Sequence, residues 1–283
     1  MPSARLSFLL PAVLALAIGV YGYYEAGTIR TEHLVIKTTK IPKDKNRFRI
    51  VQISDVHLGL IIGEERLRKI IEAIRSADPD LLVSTGDLVD GQIDGLHGLA
   101  ELFGEIKAPY GKFAVPGNHE YYAGFDKAME FIRDAGFTIL KGVAVNIPRT
   151  INIAGVDDPE GMRFGLYKDI RENEILSTLD PNQFTLLLKH RPIIDKVSLG
   201  MFDLQLSGHT HNGQIFPFNL IVQIFFPNIS GYFPLKGNSH LYVSRGTGTW
   251  GPPIRFLSPP EVTVIDLVRE GISLFKLIFH RFI

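Results

Sequence analysis

The chain has 283 residues, 45% of them hydrophobic, with 30 basic and 30 acidic side chains and no cysteine. That length suits a single large α/β domain, while zero net charge without basic runs excludes a general attraction to nucleic acid. The missing thiols exclude disulfides, thiolate metal ligands, a cysteine nucleophile and acylation at a lipobox, so a transition metal would have to be held by His, Asp, Asn or Glu, donors that suit Mn, Fe or Zn.

The predicted elements begin with a membrane anchor over residues 1–26. After Arg5, the stretch Leu6 to Tyr24 is uncharged and close to the ~20 residues that span a bilayer. Tyr21, Tyr23 and Tyr24 would form an aromatic belt at the interface. A cleaved signal peptide and a buried core helix are the competing readings. The apolar run exceeds the roughly 7–15 residues of a signal h-region, and no small-x-small cleavage site stands just after it, which favours the uncleaved anchor. Arg5 on one side and Arg30, Lys37 and Lys40 on the other leave the orientation open.

Residues 27–46 read as a linker with an edge strand around His33–Lys37. The main domain is expected over residues 47–270. Strands are predicted at Phe48–Ile53, Leu81–Val83 and Phe113–Val115, with helices at Glu64–Ser76 and Lys127–Ala135. Two or three short β segments are expected between Phe137 and Ile153, then a helix at Lys168–Leu179. Strands follow at Phe184–Leu188, Phe202–Leu206, Leu241–Val243 and Val262–Ile265, and residues 271–283 form a C-terminal apolar segment that dips into lipid or adds a last strand. Strands alternating with helices, then a strand-rich second half, predict mixed sheets covered by helices.

Almost every apolar strand ends in a tight polar loop, and strand ends are where α/β sheets bind ligands. Five such loops stand in order: Asp55-Val56-His57, Gly86-Asp87, Gly117-Asn118-His119-Glu120, His190, and Gly208-His209-Thr210-His211. Singly each has a plain reading as a turn, a solvated His or a structural His. Together they carry only hard or borderline donors, enough for two ions with one shared carboxylate.

The ordered set D-x-H, G-D, G-N-H-E, H and G-H-x-H resembles the calcineurin-like metallophosphoesterase family from about Phe48 to about Leu267. The resemblance implies an α/β fold, a four-layer α/β/β/α sandwich preceded here by one transmembrane helix. It implies that Asp55, His57, Asp87 and His211 surround one divalent ion, and that Asp87 bridges to a second held by Asn118, His190 and His209. Manganese leads the expectation, with iron or zinc as alternatives. His119 would be the catalytic residue beside the leaving-group oxygen, donating a proton or steadying the departing charge, while the ions clamp the phosphoryl group and activate water. Glu120 is expected to orient a neighbour or cap the next helix, Gly59, Gly91 and Gly213 to serve turns, and Trp250 to line a pocket or simply to pack. His33, His97, His240 and His280 are expected at the surface or in the core.

From Ile215 to Tyr232 the chain is uncharged and aromatic-rich, broken by Pro217 and Pro227. Next to a hydrolytic site in an anchored protein, that loop is expected either to pack or to enter the lipid surface. The ending Pro253-Ile254-Arg255 … Pro259-Pro260-Glu261 is similar to that of the membrane-anchored bacterial branch, which places the chain at a bacterial inner membrane. That branch is similar to enzymes cleaving UDP-2,3-diacylglucosamine in lipid A synthesis. The expected partners are therefore the membrane and a phosphorylated lipid or small molecule, not nucleic acid. A soluble diester such as a cyclic nucleotide is the alternative substrate. A scaffold without catalysis is disfavoured by the intact donor set, because clustered polar groups are costly to bury.

Overall fold

A computed structural model describes residues 4–41, 45–93, 95–96, 98–167 and 169–270. The predicted C-terminal segment 271–283, His97, His280 and Lys168, the expected first residue of a helix, lie outside the described residues. Helix α1 (Ala4–Gly27) contains a 21-residue stretch, Ser7–Gly27, of mean hydropathy 1.6, long and apolar enough to cross a membrane. A core helix of that composition would be buried. Here Phe8 is 73% exposed and Leu16 68%, and from Ser7 onward burial is confined to Gly22, Glu25 and Ala26 near the helix end.

The first half runs β1 (Arg30–Thr38), β2 (Arg47–Ile53), α2 (Glu64–Ala77), β3 (Leu81–Ser84), α3 (Leu99–Gly104), β4 (Lys112–Ala114), α4 (Asn118–Tyr122), α5 (Phe125–Asp134) and β5 (Thr138–Ile139). The second half runs β6 (Val143–Ile147), β7 (Ile151–Gly155), α6 (Glu172–Leu176), β8 (Phe184–Leu188), β9 (Leu204–Ser207), α7 (Phe218–Phe225), β10 (Gly231–Pro234), β11 (His240–Val243) and β12 (Glu261–Arg269). Among the described residues the strands form two six-stranded sheets, ordered β1-β12-β2-β3-β4-β5 and β10-β11-β9-β8-β7-β6.

Period-two alternation assigns each strand two faces. Val51, Ile53 and Leu82 point to a cluster with Leu67, Ile70, Ile74 and Phe103 of the helices over the first sheet. Phe48, Ile50, Leu81 and Val83 point the other way, into an inter-sheet core with Ile153, Leu186, Leu188, Leu204 and Leu206. A third cluster joins Leu187 and Ala154 to Ile175 and Leu176 of α6. These are the four layers. Burial on both faces explains why β3 and β8 read as nearly continuous apolar runs.

Two elements differ from expectation. The helix predicted over 168–179 shrinks to the five residues of α6. The Ser177 and Thr178 hydroxyls donate back to Glu174 O and Ile175 O, hydrogen bonds that compete with helix continuation. The expected apolar loop after the GHxH block instead contains helix α7, opened by Pro217 and followed by β10.

Candidate metal centre

The parallel strands β2, β3 and β4 of one sheet and β8 and β9 of the other end beside one another, and their loops converge. Among the described residues three groups of donor atoms result, two of them holding the predicted ligands and the third made by His57, Asp90 and His119. His57 Nε2 and His211 Nε2 lie 3.1 Å apart, with Asp55 Oδ1 3.4 Å from His211 Nε2. His190 Nε2 lies 3.1 Å from His209 Nδ1, 3.1 Å from Asn118 Oδ1 and 3.3 Å from Asp87 Oδ2. The same Asp87 Oδ2 stands 3.8 Å from His57 Nε2, so one carboxylate oxygen faces both groups. All seven residues named from the sequence as ligands are thus together.

These spacings match neighbouring ligands around a common ion: donors ~2.0–2.1 Å from a metal sit roughly 3.0–3.4 Å from one another in octahedral or tetrahedral geometry. Two neutral ring nitrogens facing each other at 3.1 Å can share only one proton. A cation between them and Asp55 would satisfy both lone pairs.

The backbone is bent to make this happen. Asp55, His57, Asp87, His209 and His211 all have positive φ, between 49° and 71°, a region that non-glycine residues seldom occupy. Such outliers cluster where the surroundings over-determine them and function requires them. Two glycines permit the close approach. A Cβ on Gly86 (φ 95°) would stand 2.7 Å from both Gly117 N and His190 Nδ1, and a Cβ on Gly208 would overlap Ser54 Oγ and Asp55 Oδ2.

Charge and protonation favour cations here. Burial pushes His57 down to about 4 and His209 to about 3, and holds His211 well below the usual imidazole range. These rings are therefore neutral, the state a ligand needs. Burial raises Asp55 to about 6, against the opposing pull of His190. Burial would also raise Asp87, but His190, His57 and His119 hold it below the usual carboxylate range. Burial disfavours charge on His190 too, yet Asp87 and Asp55 lift it to about 10. The carboxylates that raise it are the same ones that would attract a cation. The His190 Nδ1 donates to Thr85 O at 2.8 Å, the outer hydrogen bond typical of ligating histidines, which leaves Nε2 for the ion.

His119 stands next to the ligands and lines the cavity above them. Its Nδ1 donates to Asp90 Oδ1 at 2.8 Å, and its backbone N–H donates to Asp87 Oδ1 at 2.8 Å. Glu120, expected to orient a neighbour or cap a helix, does both. Fully buried, it accepts from the N–H groups of Asp87, Leu88, Val89 and Gly117, binding the G-D loop to the start of α4. Trp250 lines the cavity while its backbone pairs with the Gln214 amide in both directions. His33 is exposed on β1, and His240 on β11 stacks on Tyr232.

Sequence reasoning missed Asp90, Ser54 and Arg255. Asp90 lies three residues past Asp87, a spacing that carries no signal until the loop folds. The Ser54 hydroxyl donates to Asp55 Oδ2. Arg255 reaches His211 Nδ1 at 3.1 Å from a loop more than forty residues away in sequence.

The profile of the calcineurin-like phosphoesterase family matches residues 48–213. The chain is 40% identical to an uncharacterized metallophosphoesterase of Aquifex aeolicus over 91% of this chain and 99% of the relative. It is 34% identical to an uncharacterized metallophosphoesterase of Bacillus subtilis, over 88% and 90% of the two chains. A transmembrane protein with metallophosphoesterase domain from Danio rerio is 32% identical over 93% of this chain, which spans 62% of that relative's length. With the profile covering more than half of the residues and the Aquifex relative matching nearly end to end, the chain belongs to the calcineurin-like phosphoesterase family and is a metal-dependent phosphoester hydrolase.

Proposed function

We propose that this enzyme is anchored in a membrane by α1 and cleaves a lipid-linked phosphodiester or pyrophosphate. Asp55, His57, Asp87 and His211 would hold one divalent ion, and Asp87, Asn118, His190 and His209 the other, with manganese the first candidate. The observation that carries the lipid reading is the two-sided cavity above the donor atoms, about 800 Å³ in volume, in the range of built ligand sites. One wall is the donor cluster with His119; the other is apolar, made by Ile215, Phe218, Val222 and Phe226 on and beside α7. No residue of α7 is buried. A wall of that kind suits acyl chains and has little to offer a fully polar substrate.

Bound ions would neutralise the phosphoryl charge and lower the pKa of the attacking water. Asn118 is neutral, so it adds an oxygen donor without adding negative charge near the phosphate. His119 has its Nδ1–H held by Asp90, which leaves Nε2 to give a proton to the departing oxygen, a contribution of typically ~10²–10⁴ in rate. Burial opposes the charged form of His119, but Asp90 and Asp87 outweigh it and raise its pKa, which favours the protonated acid. The α7 wall keeps bulk water away from the clamped phosphate and strengthens every charge interaction there.

The test uses detergent-purified protein with Mn²⁺, UDP-2,3-diacylglucosamine as lipid pyrophosphate and bis-p-nitrophenyl phosphate as soluble diester. Preferential cleavage of the lipid is expected, abolished with metal binding in Asp87→Asn. His119→Ala should keep both ions and lose most of the rate. Cleavage of the small diester alone would remove the lipid reading and leave the metal site standing.

A further inference from the structure

Residues 244–260 leave β11 and return as β12, forming a strap between the donor cluster and the end of α1. On the α1 side, Arg255 N donates to Gly22 O at 3.0 Å and Leu257 N donates to Glu25 Oε2 at 2.8 Å. The Phe256 ring meets Tyr21 edge-on with centroids 5.8 Å apart. On the other side, Arg255 Nη2 sits 3.1 Å from His211 Nδ1, and Ser258 Oγ donates to His211 O at 2.8 Å. Arg255 is fully buried, and its guanidinium is locked by donation to Gly248 O and Ser258 O, each at 2.9 Å. One residue therefore bonds the helix through its backbone and the His211 ring through its side chain.

The seat on α1 is tight. A Cβ on Gly22 would stand 2.6 Å from Ile254 Cγ2 and 3.0 Å from Arg255 O, whereas a Cβ on Gly19, one turn earlier, would meet nothing within 4 Å. A flexible tether needs no such fit. An arginine that is buried among carbonyls and one imidazole is held in a single geometry, so a shift of the strap moves the ring it touches.

We propose that α1 is a positioning element of the metal centre, acting through Arg255 on the ring of His211, in addition to any role as an anchor. The inference rests on His211 being a metal ligand. It accounts for Pro253-Ile254-Arg255, which has no place in the donor set itself.

The experiment measures Mn²⁺ bound by full-length protein in detergent, by elemental analysis after equilibrium dialysis against stepped metal concentrations. The proteins compared are wild type, Gly22→Leu, Gly19→Leu, Arg255→Lys, Arg255→Gln and His211→Ala, with thermal melts of each metal-free form. Gly22→Leu and Arg255→Gln should keep one ion at wild-type affinity and bind the other roughly 10–100-fold more weakly, the usual cost of losing an outer-shell partner. Arg255→Lys should fall between, and Gly19→Leu should match wild type. Should Arg255→Gln fail to fold, Gly22→Leu carries the test, because its substitution lies on α1 and its metal-free melt reports whether the domain is intact. Wild-type affinity for both ions in Gly22→Leu overturns the proposal, provided that His211→Ala loses an ion. If His211→Ala keeps both ions, the ligand reading falls and takes the proposal with it.

Discussion

His119 has two acidic neighbours with different tasks. Asp87 accepts from its backbone N–H and faces both donor groups, while Asp90 accepts from the ring and lies within 4.8 Å of a ring nitrogen of His57. Burial disfavours the imidazolium of His119, but the Asp90 hydrogen bond and the Asp87 charge raise its pKa overall. A general acid works while protonated, so activity is lost as pH rises through that pKa. Asp90→Asn removes a raising influence, and the alkaline limb of the kcat–pH profile should therefore move to lower pH with both metals retained. An unmoved limb would mean that Asp90 does not set the proton on His119. Glu120 shows the same logic in the backbone: burial and then Asp87 push its carboxyl up to about 7, against the pull of the N–H groups it collects.

Like α1, helix α7 has a composition that its protein surroundings do not explain. Phe225 is 73% exposed and Ile224 75%, and Leu220 and Ile221 are also exposed, while Phe218 and Val222 turn toward the cavity. The base of α7 meets the strap where Phe216 N donates to Phe256 O, and Phe256 in turn touches Tyr21 of α1. The helix thus stands beside the candidate membrane span. Charging its outward face should hinder lipid access and leave the chemistry intact. In Ile224→Asp/Phe225→Asp, kcat/KM for the lipid pyrophosphate in mixed vesicles should fall ~10-fold or more, since each apolar side chain contributes about 1.5–3 kcal/mol on transfer from water. Hydrolysis of the soluble diester should be unchanged. An equal loss on both substrates would assign α7 to packing.

At the scale of the whole molecule, the strand ends of two sheets are pinned together by loops that carry left-handed backbone and buried charge. Both cost free energy, and a bound cation would offset part of that cost. Metal removal should therefore lower thermal stability as well as activity. At a free metal concentration of about a hundred times Kd, one site contributes ~2.7 kcal/mol. For a domain of this size that corresponds to roughly 5–10 °C in Tm. A scanning melt with and without EDTA checks this, and coincident curves would show that the cluster gains nothing from metal.

Most strands were legible because they are buried on both faces, which leaves unbroken runs such as Leu186-Leu187-Leu188 and Leu81-Leu82-Val83. The amphipathic α2 and α5 were legible from their apolar spacing. The donor residues could be named because metal chemistry restricts their types, and because each stands directly after such a run. Sequence by itself thus determined the mixed sheets covered by helices, the donor inventory and the candidate membrane span, while the four layers followed from the family resemblance. Tertiary structure alone decided that Asp90 holds His119, that the uncharged stretch after His211 contains a helix walling the cavity, and that Arg255 joins α1 to His211. These are pairings between segments distant in the chain. They depend on where two separate sheets end relative to each other, and local periodicity carries no record of that.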